Sequence, residues 1–440
     1  MKLTRFAATA ILLATLAACG EDEVILPGER IDVRDTVDGL ETRAEAENRA
    51  APIRLAAPVN HGAWPTTNGS TRHRITHPAL NWPLAPAWSA GIGAGEDRKH
   101  RITATPVAAD GRIFTLDSRA TVAAHGTDGA RLWARDLTPA SDRADDASGG
   151  AVTLAAGRLF VSTGFGDLFA LDPASGATDW VQRLPAPITG PVTVAGDRLY
   201  AVSRDGRGWA IDVANGRIRW EITDAAAPAV VTGGASPVVS DRLVIFPFGT
   251  GDLVATLRNS GLRVWRAAVS GQRVGIARGG ISDVTGDPVL QGNTLYAGNY
   301  SGQTAAHDAT SGERLWSAPD GAVGPVWPAG GSLFLVSDDS ELVRLDARTG
   351  ERIWGAALPD VVRGNRPTRR WKDVYAHYGP VLAGGRVVVA SSDGLLRSFD
   401  PESGALLETV DLPGGATTAP IVVNGRLYVV SQRGQLHAFQ

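Results

Sequence analysis

Cysteine is nearly absent from this sequence of 440 residues. The single cysteine, Cys19, cannot form a disulfide within the chain, and it cannot by itself build a thiolate metal cluster. The fold must therefore be held together by burial of apolar side chains and by backbone hydrogen bonds.

A strong charge bias and known catalytic motifs are also missing. Charged residues make up 20% of the chain and the formal net charge is -3, so the overall charge does not favour nucleic acid or an anionic membrane surface as a partner. The sequence contains no Gly-x-Ser-x-Gly, His-Glu-x-x-His or P-loop motif. Hydrolase and nucleotide-binding functions therefore lack support, and we expect no nucleic acid partner.

Long apolar runs are confined to the N-terminus. Residues 1–18 have the pattern of a signal peptide, with basic Lys2 and Arg5 before an apolar stretch that is too short to span a bilayer stably. Leu16-Ala17-Ala18-Cys19 resembles a bacterial lipobox, which implies cleavage before Cys19 and its acylation; an ordinary signal peptide with an incidental cysteine is the alternative. Several acyl chains would anchor the protein firmly. In Gram-negative lipoproteins with such signals, Gly20 favours the outer membrane.

Two regions follow the signal peptide. Residues 19–60 are polar and carry mixed charge without strand alternation, which predicts a lipid-anchored flexible tether. Residues 61–440 contain many glycines, prolines and short runs of β-forming residues, a pattern typical of an all-β domain.

One unit repeats along the second region. Its clearest copy, Val152–Trp180, contains four runs of β-forming residues separated by short turns, which predicts a four-stranded antiparallel meander. In six copies a glycine stands four residues before a tryptophan: Gly129/Trp133, Gly176/Trp180, Gly216/Trp220, Gly261/Trp265, Gly312/Trp316 and Gly350/Trp354. Tandem meanders of this length indicate the blades of a β-propeller, with a solenoid as the alternative.

The two ends of the chain decide the blade count. A seventh unit has Glu408 at the tryptophan position, and an eighth unit stops at Gln440 without its last strand. The segment around Trp88 resembles that missing strand. We therefore predict one eight-bladed propeller whose last blade is closed by an N-terminal strand, although seven blades remain possible if one degenerate unit is miscounted.

The repeat consensus, with its Gly-Arg turn, its Asp-x-x-Ser-Gly turn and its tryptophan, resembles the PQQ-like propeller repeat over residues 87–440. With the lipobox and the tether, it resembles the BamB family of outer-membrane assembly lipoproteins. The resemblance implies a non-catalytic scaffold of the BAM complex that binds BamA, and possibly nascent outer-membrane proteins, at the periplasmic face of the outer membrane. It implies no catalytic residues, no metal and no cofactor.

The resemblance also suggests which residues contact BamA. In the family two loops joining middle blades form this surface, and their motifs match Ala229, Val231, Thr232 and Gly233 in one loop, and Ile281, Asp283 and Thr285 in the other. Thr232 replaces the arginine of the first motif and Thr285 replaces the second acid of the other. Asp283 is the strongest candidate.

A PQQ-dependent dehydrogenase or a small-ligand-binding periplasmic propeller is the competing interpretation. The quinoprotein dehydrogenases that this repeat resembles have a disulfide between adjacent cysteines, and inward Asp, Asn and Glu side chains that bind Ca²⁺. The single cysteine of this chain cannot form that disulfide. The tryptophans could be interpreted as a surface on which a cofactor stacks. Their fixed position four residues after a glycine in each unit instead favours packing between neighbouring blades. The blade-packing set is Trp88, Trp133, Trp180, Trp220, Trp265, Trp316 and Trp354.

Two further features have a simple interpretation. His73 and His77 have the spacing of helical metal ligands, but they precede a strand, and we expect both to be solvent-exposed loop residues. The insertion Arg363–Tyr378 contains several basic residues and is expected to be a solvated loop between blades, with lipid headgroups or a partner as its other possible contacts.

Overall fold

The structure is a computed structural model that describes residues 48–227, 233–269, 281–366 and 369–440, with backbone only for residues 363–373. The predicted signal peptide, Cys19 and most of the predicted tether lie outside the described residues. Within these ranges, no helix is long and apolar enough to cross a membrane.

Eight four-stranded antiparallel sheets are arranged in one ring, which confirms the all-β eight-bladed propeller. The described residues contain no α-helix and one short 3-10 turn, Thr67–Gly69. In six of the eight blades the first strand has only two or three residues, most of them buried, while the last strand of most blades has alternating exposed positions. The first strands therefore line the centre of the ring and the last strands form its rim.

The strands of the eight blades follow chain order. Blade 1 comprises β2 (Val107–Ala109), β3 (Arg112–Leu116), β4 (Thr121–Gly126) and β5 (Arg131–Asp136). Blade 2 comprises β6 (Gly150–Ala155), β7 (Arg158–Thr163), β8 (Asp167–Leu171) and β9 (Thr178–Arg183). Blade 3 comprises β10 (Thr193–Ala195), β11 (Arg198–Ser203), β12 (Arg207–Asp212) and β13 (Ile218–Thr223). Blade 4 comprises β14 (Val238–Val239), β15 (Leu243–Pro247), β16 (Asp252–Leu257) and β17 (Arg263–Ala268).

The second half of the ring repeats the pattern. Blade 5 comprises β18 (Val289–Gln291), β19 (Thr294–Asn299), β20 (Gln303–Asp308) and β21 (Arg314–Ala318). Blade 6 comprises β22 (Trp327–Ala329), β23 (Ser332–Val336), β24 (Glu341–Asp346) and β25 (Arg352–Ala357). A separate hairpin of β26 (Val361–Arg366) and β27 (Arg369–Val374) precedes blade 7, which comprises β28 (His377–Ala383), β29 (Arg386–Ser391), β30 (Leu395–Phe399) and β31 (Leu406–Asp411). Blade 8 comprises β32 (Ile421–Val423), β33 (Arg426–Ser431), β34 (Gln435–Phe439) and β1 (Pro86–Gly91).

Blade 8 joins the two ends of the chain. Its outermost strand is β1, which pairs antiparallel with β34 so that Trp88 lies opposite Ala438. This pairing confirms the predicted closure of the last blade by the N-terminal strand. It excludes both the solenoid and the count of seven blades.

The turn before each last strand explains the recurring Asp and Gly. In blade 2, Asp172 Oδ1 accepts hydrogen bonds from the backbone N–H groups of Ala174 and Ser175 and from Ser175 Oγ, at 3.0, 2.8 and 2.7 Å. The bond from the Ser175 hydroxyl is the main cause that lowers the pKa of Asp172. Gly176 then adopts a φ of +72°, which a residue with a Cβ rarely adopts.

Each predicted blade-packing tryptophan lies over the turn glycine of the following blade. A Cβ on Gly216 would lie 2.6 Å from Trp180 Cε3, so only glycine leaves room for the indole ring. The ring nitrogen of Trp180 also donates to the carbonyl of Val213 at 3.0 Å. Trp220 is the exception among the seven, since its buried indole N–H has no hydrogen-bond partner among the described residues.

The apolar core is divided among the blade junctions. Five clusters of buried side chains each straddle one junction between neighbouring blades, from blades 1–2 to blades 5–6. A sixth cluster runs continuously through blades 6, 7, 8 and 1 and includes Trp64, Leu80 and Leu84 from the segment before β1. The region where the chain ends meet therefore contains the largest cluster of buried side chains.

Residues 48–80 form a strap across one end of the central channel. Hydrogen bonds join this strap to the innermost strands or their following turns in six blades, through the carbonyls of His61 (blade 8), Trp64 (blade 1), Pro65 (blade 2), Thr71 (blade 4), Arg72 (blade 5) and Pro78 (blade 7). The Trp64 ring stacks on Trp327 of blade 6, with centroids 6.3 Å apart. The described part of the segment expected to be a tether, residues 48–60, thus lies on the propeller, because its apolar and backbone groups find partners there.

The expectation that His73 and His77 are solvent-exposed is wrong. Their exposed fractions are 0% and 6%, since the strap carries both rings into the propeller. His77 Nδ1 lies 2.7 Å from the carbonyl of Ala56, and its Nε2 accepts a hydrogen bond from the Gly385 N–H at 2.8 Å. Both rings serve as hydrogen-bonding groups within the fold.

The insertion between blades 6 and 7 also differs from the expected loop. Residues 361–374, which include most of it, form the hairpin β26–β27, apart from residues 367–368, which lie outside the described residues. The backbone register places Val361 opposite Val374 and Arg366 opposite Arg369. The final residues of the insertion, from His377, already belong to blade 7.

Candidate partner-binding surface

The segments that join successive blades lie together on one face of the ring. In a four-stranded meander the last strand runs antiparallel to the first, so it ends on the side where the first strand begins. Every connection from one blade to the next therefore begins and ends on this side, here called the loop face. The strap contacts the turns that follow the innermost strands, on the opposite face.

The first predicted contact segment connects blades 3 and 4. Ala229, Val231 and Thr232 lie outside the described residues. Gly233 is exposed and has a φ of +84°, and a Cβ on it would lie 3.2 Å from Thr103 Cβ, in the connection that leads to blade 1. The described end of this segment thus lies close to the opposite side of the channel mouth.

The second predicted contact segment connects blades 4 and 5. Asp283 is only 5% exposed, so its carboxylate lies inside the loop face rather than on it. It lines a cavity of about 10 Å³, together with Thr189 and Arg204, which has room for about one water molecule. Thr285 Oγ1 donates to the carbonyl of Ala322 at 3.0 Å, in the connection between blades 5 and 6.

Three residues of the second segment remain at least partly accessible to a partner. Ile281 and Thr285 are half-buried, and Ser282, which is not among the predicted contact residues, is exposed. The matching motif indicated the position of this segment along the chain, but a motif carries no information on which of its side chains faces solvent.

A buried polar cluster ties the two segments to each other. The Asp287 carboxylate accepts hydrogen bonds from the backbone N–H of Ser236, at 2.6 Å, and from the Ser236 hydroxyl. His73 of the strap places Nε2 3.2 Å from Ser236 Oγ and Nδ1 2.7 Å from the carbonyl of Pro288. Burial lowers the pKa of His73, while the charge of Asp287 opposes that shift. The strap therefore helps to fix both connections.

The sequence profile described as "Outer membrane protein assembly factor BamB" matches residues 118–356 and 363–440, which is most of the propeller. The chain belongs to the BamB family. The BamB of Xanthomonas campestris pv. campestris is 31% identical over 362 residues, which cover 80% of this chain and 85% of that relative.

Solved structures show the same fold. The BamB structure from Moraxella catarrhalis aligns with a TM-score of 0.66 at 21% identity, covering 81% of this chain and 100% of that chain. A quinohemoprotein alcohol dehydrogenase from Comamonas testosteroni aligns with a TM-score of 0.65 at 16% identity, covering 87% and 81%. At these identities the likeness concerns the fold alone, and it does not by itself separate a BamB from a dehydrogenase.

Two observations bear on the quinoprotein alternative. Among the described residues, no group of three or more His, Cys, Asp or Glu side chains is arranged to hold a metal ion. The whole sequence has one cysteine, so the adjacent-cysteine disulfide of the resembling dehydrogenases has no counterpart.

Proposed function

We propose that this BamB family member is a non-catalytic scaffold lipoprotein of the outer-membrane β-barrel assembly machinery. Acylated Cys19 holds it at the periplasmic face of the outer membrane, and its loop face binds BamA. The observation that carries the proposal is the hydrogen bonding of Ser236 to Asp287, which holds the two predicted contact segments side by side.

A fixed loop face suits a scaffold. Binding is weakened when loops must be ordered at the interface, and preorganised loops reduce that cost. Three internal attachments hold these connections: Ser236 to Asp287, Thr285 to Ala322, and the burial of Asp283. The accessible Ile281, Ser282 and Gly233 are then presented in a set geometry.

Recovery of BamA with the purified protein tests the proposal. The full chain, solubilised from membranes of its own organism, is expected to retain BamA, and Ser282→Arg is expected to reduce that recovery at least tenfold. Ala214→Arg is the matched control, because Ala214 is exposed in a turn on the strap face. Equal recovery of BamA with both variants would place the interface elsewhere.

A second measurement addresses catalysis. The purified protein is incubated with pyrroloquinoline quinone, Ca²⁺, an alcohol and a redox dye, and no dye reduction above the protein-free rate is expected. Reduction that depends on the protein would overturn the scaffold proposal in favour of a dehydrogenase.

A further inference from the structure

The turn at residues 70–74 of the strap joins blades 4 and 5. The carbonyl of Thr71 accepts a hydrogen bond from the Val239 N–H of β14 at 2.9 Å. The next carbonyl, of Arg72, accepts one from the Leu290 N–H of β18 at 3.0 Å. Because β14 has only two residues, its bond to the strap is a substantial part of its backbone pairing. This part of the strap, here called the strap turn, therefore holds the innermost strands of two neighbouring blades together.

His73 extends from the strap turn to both predicted contact connections. Its Nδ1 donates to the carbonyl of Pro288, in the connection between blades 4 and 5, at 2.7 Å. Its Nε2 lies 3.2 Å from Ser236 Oγ, in the connection between blades 3 and 4. Both His73 and Ser236 are 0% exposed, so water does not compete for these contacts. One imidazole ring thus links the two connections from within the propeller.

The strap turn has a backbone conformation that needs support. The φ of His73 is +52°, in the left-handed region that few residues other than glycine adopt. The turn is closed by the His73 N–H, which donates to the carbonyl of Ser70 at 2.9 Å. It is also closed by the Ser70 hydroxyl, which donates to the carbonyl of Arg74 at 2.7 Å. Since a residue in such a conformation is retained only where surrounding contacts offset its cost, the docked turn depends on the partners of the His73 ring.

The residues that a partner can reach are close along the chain to the groups that the strap turn holds. Gly233 stands three residues before Ser236. Ser282 stands five residues before Asp287, whose carboxylate accepts the Ser236 N–H. A shift of Ser236 or Asp287 therefore moves the accessible residues. We propose that docking of the strap turn is energetically coupled to partner binding on the loop face, with His73 as the positioning residue.

This coupling makes the strap a regulator of the loop face. Coupling between two sites is reciprocal, and it typically changes affinity by about 5–150-fold. A docked strap turn favours the partner, and a bound partner favours the docked turn by the same factor. The inference rests on the proposed function, because it concerns the same loop face, and it adds that the affinity of this face is set from inside the propeller.

Two strap histidines provide a matched pair of variants. His73 and His77 are both buried and each contacts two groups, but His77 bonds to Ala56 within the strap and to Gly385 of blade 7. His73→Ala is expected to bind BamA about tenfold more weakly than the parent, whereas His77→Ala is expected to stay within about twofold. Interferometry with the full-length proteins in detergent measures affinity, and urea denaturation establishes that both variants are folded. A purely structural role of the two histidines would make both variants bind alike.

A conservative variant separates the ring contacts from backbone strain. Asparagine tolerates the left-handed conformation better than alanine does, and its amide nitrogen takes the place of Nδ1 beside Pro288. His73→Asn is therefore expected to bind BamA at least about threefold more tightly than His73→Ala. If the two variants bind equally weakly, the contact with Pro288 does not position the connections, and the inference is overturned.

Amide exchange of the parent protein tests the reciprocal effect without any substitution. Binding of BamA is expected to slow exchange of the Val239 and Leu290 N–H groups about tenfold, because both bond to the strap turn. The Leu154 and Gly384 N–H groups bond to the strap at blades 2 and 7, and they are the internal controls. Their exchange is expected to change less than about twofold.

The inference is overturned if His73→Ala and His77→Ala bind BamA alike, or if BamA leaves exchange at Val239 and Leu290 unchanged. Ser282→Arg distinguishes such a failure from a failure of the proposed function. If Ser282→Arg binds weakly while His73→Ala keeps the parent affinity, only the inference is wrong. If Ser282→Arg keeps the parent affinity, the proposed interface is wrong, and the inference that rests on it is wrong as well.

Discussion

The guanidinium carbon of Arg386 lies 4.5 Å from the centre of the Trp82 ring, at the junction between blades 7 and 8. Arg386 also donates to the Glu408 carboxylate at 3.1 Å, and Glu408 occupies the position at which six other blades have a tryptophan of their own repeat. The Trp82 ring nitrogen donates to the carbonyl of Gly384. Blade 7, which has no tryptophan of its own, thus contacts an aromatic side chain from the segment before β1.

Substitution of this aromatic side chain is expected to weaken ring closure. Trp82→Ala removes a half-buried indole and its cation–π contact, and it should lower the free energy of unfolding by about 2 kcal/mol. Arg386→Ala should lower the free energy of unfolding by about 1 kcal/mol, because the Arg386 side chain is 28% exposed and water weakens its ion pair. Urea denaturation followed by circular dichroism measures both, with Arg348→Ala as an exposed control near zero. If the Arg348 variant loses as much as the Trp82 variant, Trp82 does not support the junction.

A pair of glycines separates backbone strain from side-chain crowding. Gly216 and Gly157 have similar φ values, +74° and +71°, but a Cβ on Gly216 meets Trp180 whereas a Cβ on Gly157 has no neighbour within 4 Å. Replacement by alanine should cost about 1 kcal/mol at Gly157 from the left-handed conformation alone. At Gly216 the cost should be roughly 2–4 kcal/mol, since the indole must also move. If urea denaturation shows the same decrease in the free energy of unfolding for both variants, Trp180 does not pack closely against Gly216.

The free energy of unfolding is expected to fall as the solution is acidified from pH 7 to pH 5. Burial lowers the pKa of five histidines, so the folded chain resists their protonation while the unfolded chain accepts protons below about pH 6.5. This contribution to stability is present above that pH and is lost below it. The five are His73, His125, His307, His377 and His437. His100 acts in the opposite sense, because its hydrogen bond to Asp97 raises its pKa.

Urea denaturation at pH 7.5, 6.5 and 5.5 measures this dependence. A variant such as His125→Gln, which lacks one of the five groups, should show a shallower loss of stability over the same range. A free energy of unfolding that does not change between pH 7.5 and 5.5 would contradict the assignment of these rings as buried and neutral.

Neighbouring residues in the second contact segment should behave differently. Ser282 is exposed, so Ser282→Arg is expected to reduce BamA recovery without changing the denaturation midpoint. Asp283 is buried, so Asp283→Asn is expected to reduce stability by roughly 1–3 kcal/mol and to reduce BamA recovery only through the displaced segment. If Asp283→Asn abolishes BamA recovery at unchanged stability, the carboxylate itself contacts the partner.

The sequence was most informative where the structure repeats. The glycine and tryptophan of each unit have a fixed spacing because the same turn must fit the same ring at every junction, and this spacing predicted eight blades and their closure around Trp88. Residues 48–80 have no such repetition. Trp64 contacts Trp327, and His73 contacts Pro288, each more than 200 residues further along the chain. No local pattern in the sequence indicates such distant contacts.

The sequence predicted which connection contains the second contact segment, but not how its residues are arranged. The motif identified the connection that contains Asp283, but the burial of Asp283 depends on neighbouring blades that are distant in sequence. The link between Ser236 and Asp287 depends on the geometry of two connections at once, and neither segment suggests it alone. The hairpin β26–β27 was expected to be a loop, because its basic residues do not show the alternation of apolar and polar residues that indicates paired strands.

The pairing of β1 with β34 sets an order on folding. A chain is synthesised from its N-terminus, yet β1 acquires its partner only when the residues up to Phe439 are present. Blades 1 to 6 are able to stack in succession before then, because each of their junctions has its own cluster of buried side chains. Until the last blade forms, the outer faces of the two terminal blades in the growing arc have no neighbouring blade to pack against, and exposed apolar surface of this kind promotes aggregation. The last twenty residues therefore complete the ring, and a chain that stops before them would keep those two blade faces exposed.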